Sequence, residues 1–247
     1  MDDPSSALDA FVLSLTGRAV PKVCFLPTAS GDPRDHVTRF YERFGGWPCE
    51  PSVLSLFHLA RDRLDPVAHL LAQDAIYVGG GSMRNLLAVW REHRIDDALR
   101  GAWESGAVLA GLSAGAMCWF EGGISMSAGA PETVRGIGLL GGSLSVHLDG
   151  EAQRLPAYRA AVAGGELPPG YAADDGAALL FEGSSLVECV SSRPGARVLR
   201  LAPDQRGGVL EEALPVRLLE RPRRSESVEG LVVGELRDLR AGGSRWK

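Results

Sequence analysis

The sequence predicts an α/β fold in which a mostly parallel sheet is flanked by helices. Three observations carry that reading: four short apolar runs bounded by turn residues, helical spacing in the intervals between them, and glycine clusters where strands end. Residues 5–16 space their apolar side chains as a short helix does. Residues 22–30 (KVCFLPTAS) form an apolar run ending in turn residues, which marks a buried strand. Gly31-Asp-Pro33 opens a helix reaching Phe44, with proline suited to the first helical position and aspartate to the cap. Residues 52–57 read as a second strand, Asp65-Pro66 as the start of another helix, and residues 75–78 as a third strand running into Gly79-Gly-Gly-Ser82. Helices follow over 83–93 and 95–105, and residues 107–111 make the fourth strand.

After Glu121 the alternation lapses. Strands are expected at 124–128, 143–146, 177–181, 186–191 and 197–201, with one helix near 156–164. The second half therefore reads as an extension of the same sheet with added C-terminal β-hairpins. No linker or repeat divides the chain, so residues 1–247 are expected to form a single domain. The charged tail from about 221 to 247 is either frayed or pinned to a partner subunit, which leaves a homodimer open.

Composition narrows the function classes. The chain has 247 residues, 45% of them hydrophobic and 23% charged, the usage of an ordinary globular protein. A net charge of −5 argues against nonspecific nucleic-acid binding, which needs a basic surface. It does not argue against a small acidic substrate, because one local arginine outweighs the global balance. The four cysteines (Cys24, Cys49, Cys118 and Cys189) lack CxxC spacing and read as free thiols in a reducing compartment. No apolar run approaches the ~18 residues of a membrane span, and MDDPSSALDAF lacks the basic start of a signal peptide. A cytoplasmic protein without membrane partners is the expectation.

Gly111-Leu-Ser-Ala-Gly115 is G-x-S-x-G between an expected strand and an expected helix, the context a nucleophile elbow requires. Small neighbours permit a sharp turn that lifts the Ser113 hydroxyl to the strand's carboxyl end, where α/β sheets place their ligands. The alternative is a tight turn without chemistry. A serine needs a base. His36, His58, His69 and His93 fall at positions where a structural role is the better reading. His147 ends a strand in LSVHLD and is the only histidine after Ser113, so it is the expected base. In the second glycine cluster, Gly80 or Gly81 is positioned to donate a backbone N–H beside that of Ala114, as an oxyanion hole does. A plain β-to-α turn is the alternative; phosphate binding is disfavoured, because the spacing of this cluster is not G-x-G-x-x-G and no Walker lysine follows it.

Four blocks in order, Val78-Gly-Gly-Gly81, Gly-Leu-Ser113-Ala-Gly-Ala-Met-Cys-Trp-Phe-Glu121-Gly-Gly, His147-Leu-Asp-Gly-Glu151 and Gly170-Tyr-Ala-Ala-Asp-Asp-Gly-Ala-Ala178, resemble peptidase E. This is the aspartyl dipeptidase group of nonclassical serine peptidases, related to cyanophycinase and built on a fold like class I glutamine amidotransferases. The resemblance runs from about Lys22 to Leu201. It implies hydrolysis of Asp-X dipeptides through a covalent acyl-enzyme, with no metal or other cofactor, Ser113 as nucleophile, His147 as base, and Gly80 and Ala114 at the oxyanion.

Peptidase E enzymes commonly carry the triad acid in the strand after the elbow helix, where Ile124-Ser-Met-Ser127 has no carboxylate. Glu132, in the loop that follows, is the first candidate; Asp149, Asp175 and Glu121 are the others. The resemblance also makes Arg154 the candidate for the substrate β-carboxylate, since arginine offers a bidentate fork. Asp175 is the candidate for the substrate ammonium. Three further readings stay open: a cyanophycinase-like or broader exopeptidase, an α/β-hydrolase esterase (whose histidine normally lies further along), and a non-catalytic amidotransferase-like binding protein.

Overall fold

Parallel strands covered on both faces need continuous apolar runs, and the first half of the chain supplies them. The structure is a computed structural model that describes residues 6–59 and 64–222. In it β1 (Lys22–Leu26), β2 (Glu50–Val53), β3 (Ala75–Val78) and β4 (Val108–Gly111) pair in parallel, in the order β2-β1-β3-β4. Side chains alternate across this sheet. Val23, Phe25, Ala75 and Tyr77 meet Phe40 and Phe44 of α2 (Arg34–Phe44), with the Phe25 and Phe40 rings stacked at 4.9 Å. Leu26, Ile76 and Val78 face the other way, toward α4 (Met83–His93) and α5 (Ile95–Glu104). Those helices bury Met83, Leu86, Leu87 and Trp90, then Ile95, Ala98, Leu99 and Ala102, each set at the spacing of one helical face. The helices α1 (Ala7–Leu15) and α3 (Pro66–Leu71) complete this half.

The local start signals mostly hold. Asp65 accepts the Val67 and Ala68 amides with Pro66 at the first position, and Ser82 accepts the Asn85 amide. Asp32 departs from its expected role. It has φ 55° and does not cap α2; its carboxylate accepts the Ser55 hydroxyl at 2.5 Å, and burial raises its pKa. The second strand covers Glu50–Val53 and not 52–57, with Leu54 and Leu56 buried beyond its end.

The second half differs from the expected single extended sheet. After β4 the chain makes the one-turn helix α6 (Ala114–Met117), and β5 (Phe120–Ser125) then starts a new ladder. The remaining elements are β6 (Glu132–Arg135), β7 (Leu140–Ser145), α7 (Arg154–Ala163), β8 (Gly170–Ala173), β9 (Ala177–Glu182), β10 (Ser185–Ser191), β11 (Val198–Pro203), β12 (Val209–Leu214) and β13 (Arg217–Leu218). Six of these strands form a sheet of order β12-β11-β8-β7-β5-β6, and three form β13-β10-β9. Strands β5, β7 and β8 are mutually parallel, whereas β9-β10 and β11-β12 are the expected C-terminal hairpins. All four cysteines are free, and burial pushes Cys24 up to about 12 and Cys118 well above an ordinary thiol. Among the described residues no helix is long and apolar enough to cross a membrane. Most of the charged tail, residues 223–247, lies outside the described residues.

The elbow depends on backbone contact. A Cβ on Gly111 would sit 2.0 Å from the Gly115 carbonyl oxygen, and one on Gly115 would sit 2.3 Å from that of Val78. Gly115→Ala is therefore expected to lower unfolding stability by about 1–3 kcal/mol, as overpacking does. Gly46→Ala, where a Cβ meets nothing within 4 Å, is the control. Urea midpoints of the two variants check this.

Candidate active site

Ser113 lies two residues beyond β4 and has φ 54° and ψ −117°. That is a strained backbone for a non-glycine residue, costing on the order of 1–3 kcal/mol. The flanking glycines allow it by letting the turn close on itself. The outcome is a hydroxyl held proud of the strand end, as the motif predicts.

His147 lies two residues beyond β7, also at positive φ (60°). Its carbonyl accepts the Glu151 amide at 2.9 Å, closing a turn that aims the ring at the elbow. The Ser113 hydroxyl lies 2.9 Å from His147 Nε2. On the other side of the ring, Nδ1 bonds Asp175 Oδ1. An ionised carboxylate only accepts, so Nδ1 carries the proton and Nε2 is left to accept from Ser113. This arrangement can draw a proton from the hydroxyl and stabilise the resulting imidazolium.

The carboxylate on His147 is thus Asp175, not the Glu132 favoured on sequence grounds. The reason is topological. Glu132 begins β6, which is the edge strand beyond β5, while β7 and β8 are adjacent and send His147 and Asp175 out of the same end of the sheet. Glu132 instead accepts from Arg84 Nη2 at 2.8 Å. Glu121 is already on β5, exposed, because α6 is a single turn. Asp149 accepts the Asp175 amide at 2.8 Å and pairs with Arg193. Burial acts to raise the Asp149 pKa, but the Asp175 amide, its own amide and the Arg193 guanidinium outweigh it and hold the carboxyl below the usual range. Local sequence gave no sign of Arg193, which lies beyond β10.

Gly80 sits against the nucleophile: a Cβ there would be 3.1 Å from Ser113 Cβ. Gly81, at φ 139°, packs so tightly on the Ala29 carbonyl that a Cβ would come within 2.3 Å of it. Among the described residues, no backbone acceptor takes the amides of Gly80, Gly81 or Ala114. An amide without a backbone partner is one condition of an oxyanion site. A cleft of about 530 Å³ opens over Ser113, lined also by Ser30, Gly81, Ser82, Met117, Ser125, Glu151 and Arg154. Only 4% of the Arg154 side chain is exposed. Its Nε and Nη2 bond the Glu151 carboxylate at 2.9 and 3.3 Å, and Nη1 donates to the Ile124 carbonyl. Arg154 is therefore at the cleft, as expected, but with Glu151 as a partner that sequence reasoning missed.

If Asp175 orients His147, Asp175→Asn will slow phosphonylation of Ser113 by a fluorophosphonate by about 10²-fold or more; the equivalent change in a classical serine-protease triad costs about 10⁴. Glu132→Gln will leave the labelling rate unchanged. Intact-mass spectrometry over a time course reads both.

Comparison with known proteins places this chain in a family. The model for peptidase family S51 matches residues 2–189. The chain is 45% identical over 219 residues to the uncharacterized peptidase YgaJ of Bacillus subtilis (strain 168), covering 89% of this chain and 94% of that one. The crystal structure of a peptidase from an acI-B1 actinobacterium is similar in fold, with a TM-score of 0.65 at 18% identity over 86% of this chain and 89% of that chain. A putative peptidase E protein from Listeria monocytogenes EGD-e aligns with a TM-score of 0.49 at 14% identity, over 85% of this chain and 95% of that chain. The resemblance first read from four short blocks extends over three quarters of the sequence, and the chain belongs to peptidase family S51.

Proposed function

We propose that this peptidase is a serine-type dipeptidase that releases aspartate from Asp-X dipeptides through an acyl-enzyme on Ser113. The observation that carries the reading is His147 bridging the Ser113 hydroxyl, at 2.9 Å, and the Asp175 carboxylate. Ser113 Oγ adds to the peptide carbonyl as its proton passes to His147 Nε2. The Gly80 and Ala114 amides, with Gly81 beside them, receive the oxyanion. His147 returns the proton to the leaving amine, the C–N bond breaks, and water deprotonated by the same ring then cleaves the ester.

The cleft volume of about 530 Å³ suits a dipeptide. Arg154 supports selection of a side-chain carboxylate, and Glu151 takes over the ammonium-binding role first given to Asp175. A second reading, an exopeptidase of broader specificity, is favoured by one observation: Glu151 and the Ile124 carbonyl already occupy three guanidinium nitrogens of Arg154. Four free thiols support a cytoplasmic setting, where thiols stay reduced.

Amino-acid release from Asp-Leu and Ala-Leu, followed side by side, separates the two. The Asp-X reading expects a preference of about tenfold or more, equivalent to about 1.4 kcal/mol of differential transition-state binding, that Arg154→Gln abolishes. Equal rates on both substrates establish the broader reading. Full activity in Ser113→Ala refutes the acyl-enzyme in either case.

A further inference from the structure

We infer that Arg193 and Asp149 are positioning residues that together hold Asp175 on His147, an inference that rests on the Ser113–His147–Asp175 reading above. The Asp175 side chain is 53% exposed. It sits on a turn closed by the Ala177 amide on the Asp174 carbonyl at 3.2 Å, with Gly176 at φ 75° in the third position, a type II pattern. Such a turn leaves the amide and carbonyl of its second residue, here Asp175, without partners of its own. Both are taken from outside. Asp149 Oδ1 accepts the Asp175 amide at 2.8 Å, and Arg193 Nε donates to the Asp175 carbonyl at 2.6 Å. Arg193 Nη2 also donates to Asp149 Oδ2, so the three residues close a ring around the backbone of Asp175.

The ring needs the planar fork of an arginine, because two nitrogens must reach two differently placed acceptors at once; a lysine ammonium is a single point. Asp174, the preceding residue, is fixed separately. Its carboxylate accepts the Arg197 amide, Nε and Nη2 at 2.9 to 3.0 Å. Arg193 and Arg197 both come from the connection between β10 and β11, which braces the tip and the base of the acid-bearing turn. Arg193 and Asp149 bond the Asp175 backbone and each other, whereas the Ser113 hydroxyl meets His147. Their effect is therefore exerted through Asp175, on activation of the nucleophile and not on substrate affinity.

The test compares Arg193→Ala, Asp149→Ala, the double variant and Arg193→Lys, each checked for an unchanged melting midpoint. Ser113 phosphonylation by a small uncharged fluorophosphonate measures activation independently of peptide specificity. Each single alanine variant is expected to label about 10- to 100-fold more slowly, the scale of a small misplacement in an active site. The double variant is expected to be no slower than the worse single one, because all three residues belong to one ring. Arg193→Lys falls between wild type and alanine. With Asp-Leu as substrate, kcat falls in step while KM is unchanged. Proton NMR supplies a readout that needs no reactivity: the downfield His147 Nδ1–H signal is present in wild type and lost or shifted upfield in Arg193→Ala. A wild-type labelling rate in Arg193→Ala, losses that multiply in the double variant, or an unaltered Nδ1–H signal overturns the inference. Wild-type protein that labels in an Arg193-dependent way yet cleaves no Asp-X dipeptide retires the substrate reading and leaves the brace standing.

Discussion

The parallel pairing of β7 with β8 is the constraint on which the site depends. Its register sets Ser143 against Gly170, Leu144 against Tyr171 and Ser145 against Ala172. Adjacent strands lie about 4.8 Å apart, so residues two or three beyond the last pair emerge side by side. His147 and Asp175 are those residues, and the Leu148 amide on the Ala173 carbonyl ties the two exits together. A slip of one residue would send each side chain to the opposite face of the sheet. Ser113 reaches the same place from the separate four-stranded sheet, through the tightly packed elbow. The site is therefore a junction between two ladders, each placing one side of the Ser113–His147 contact.

Electrostatics at this junction follow from exposure. Asp175 is open to solvent, where a lone carboxylate interacts weakly and moves freely. Its neighbours compensate by fixing the backbone through Asp149, Arg193 and the Asp174–Arg197 pair. The charged pair that lines the cleft is handled differently. Arg154 is buried and depends on Glu151 for its charge balance.

Much of this was legible in the chain itself. Strand β3 and helix α4 fall on the residues their patterns indicate, because an unbroken apolar run and a 3.6-residue stripe are local signals. The positions of Ser113 and His147 were readable for the same reason, each set by a strand end and its turn. Strands β6 and β8 were not, since Glu-Thr-Val-Arg and Gly-Tyr-Ala-Ala are too short and too mixed to stand out. Glu132 was placed ahead of Asp175 as the carboxylate for His147 as a direct consequence. Without β8 as the neighbour of β7, nothing in the order of residues brings Asp175 closer to His147 than Glu132. The partners of Arg154 and Arg193 are likewise products of tertiary packing.

The Glu151–Arg154 pair has a consequence for recognition. A long cationic side chain that is free in solvent loses on the order of 1.5–2 kcal/mol of rotamer freedom when a ligand first orders it. Arg154 is already ordered by folding, with its fork bound at 2.9 and 3.3 Å. On the proposed reading, a substrate carboxylate arriving at Arg154 does not recruit a mobile charge; it competes with a resident partner. Affinity there would be the difference between two carboxylates for the same guanidinium, which would make Arg154 a site of exchange and tie its selectivity to how readily Glu151 gives way.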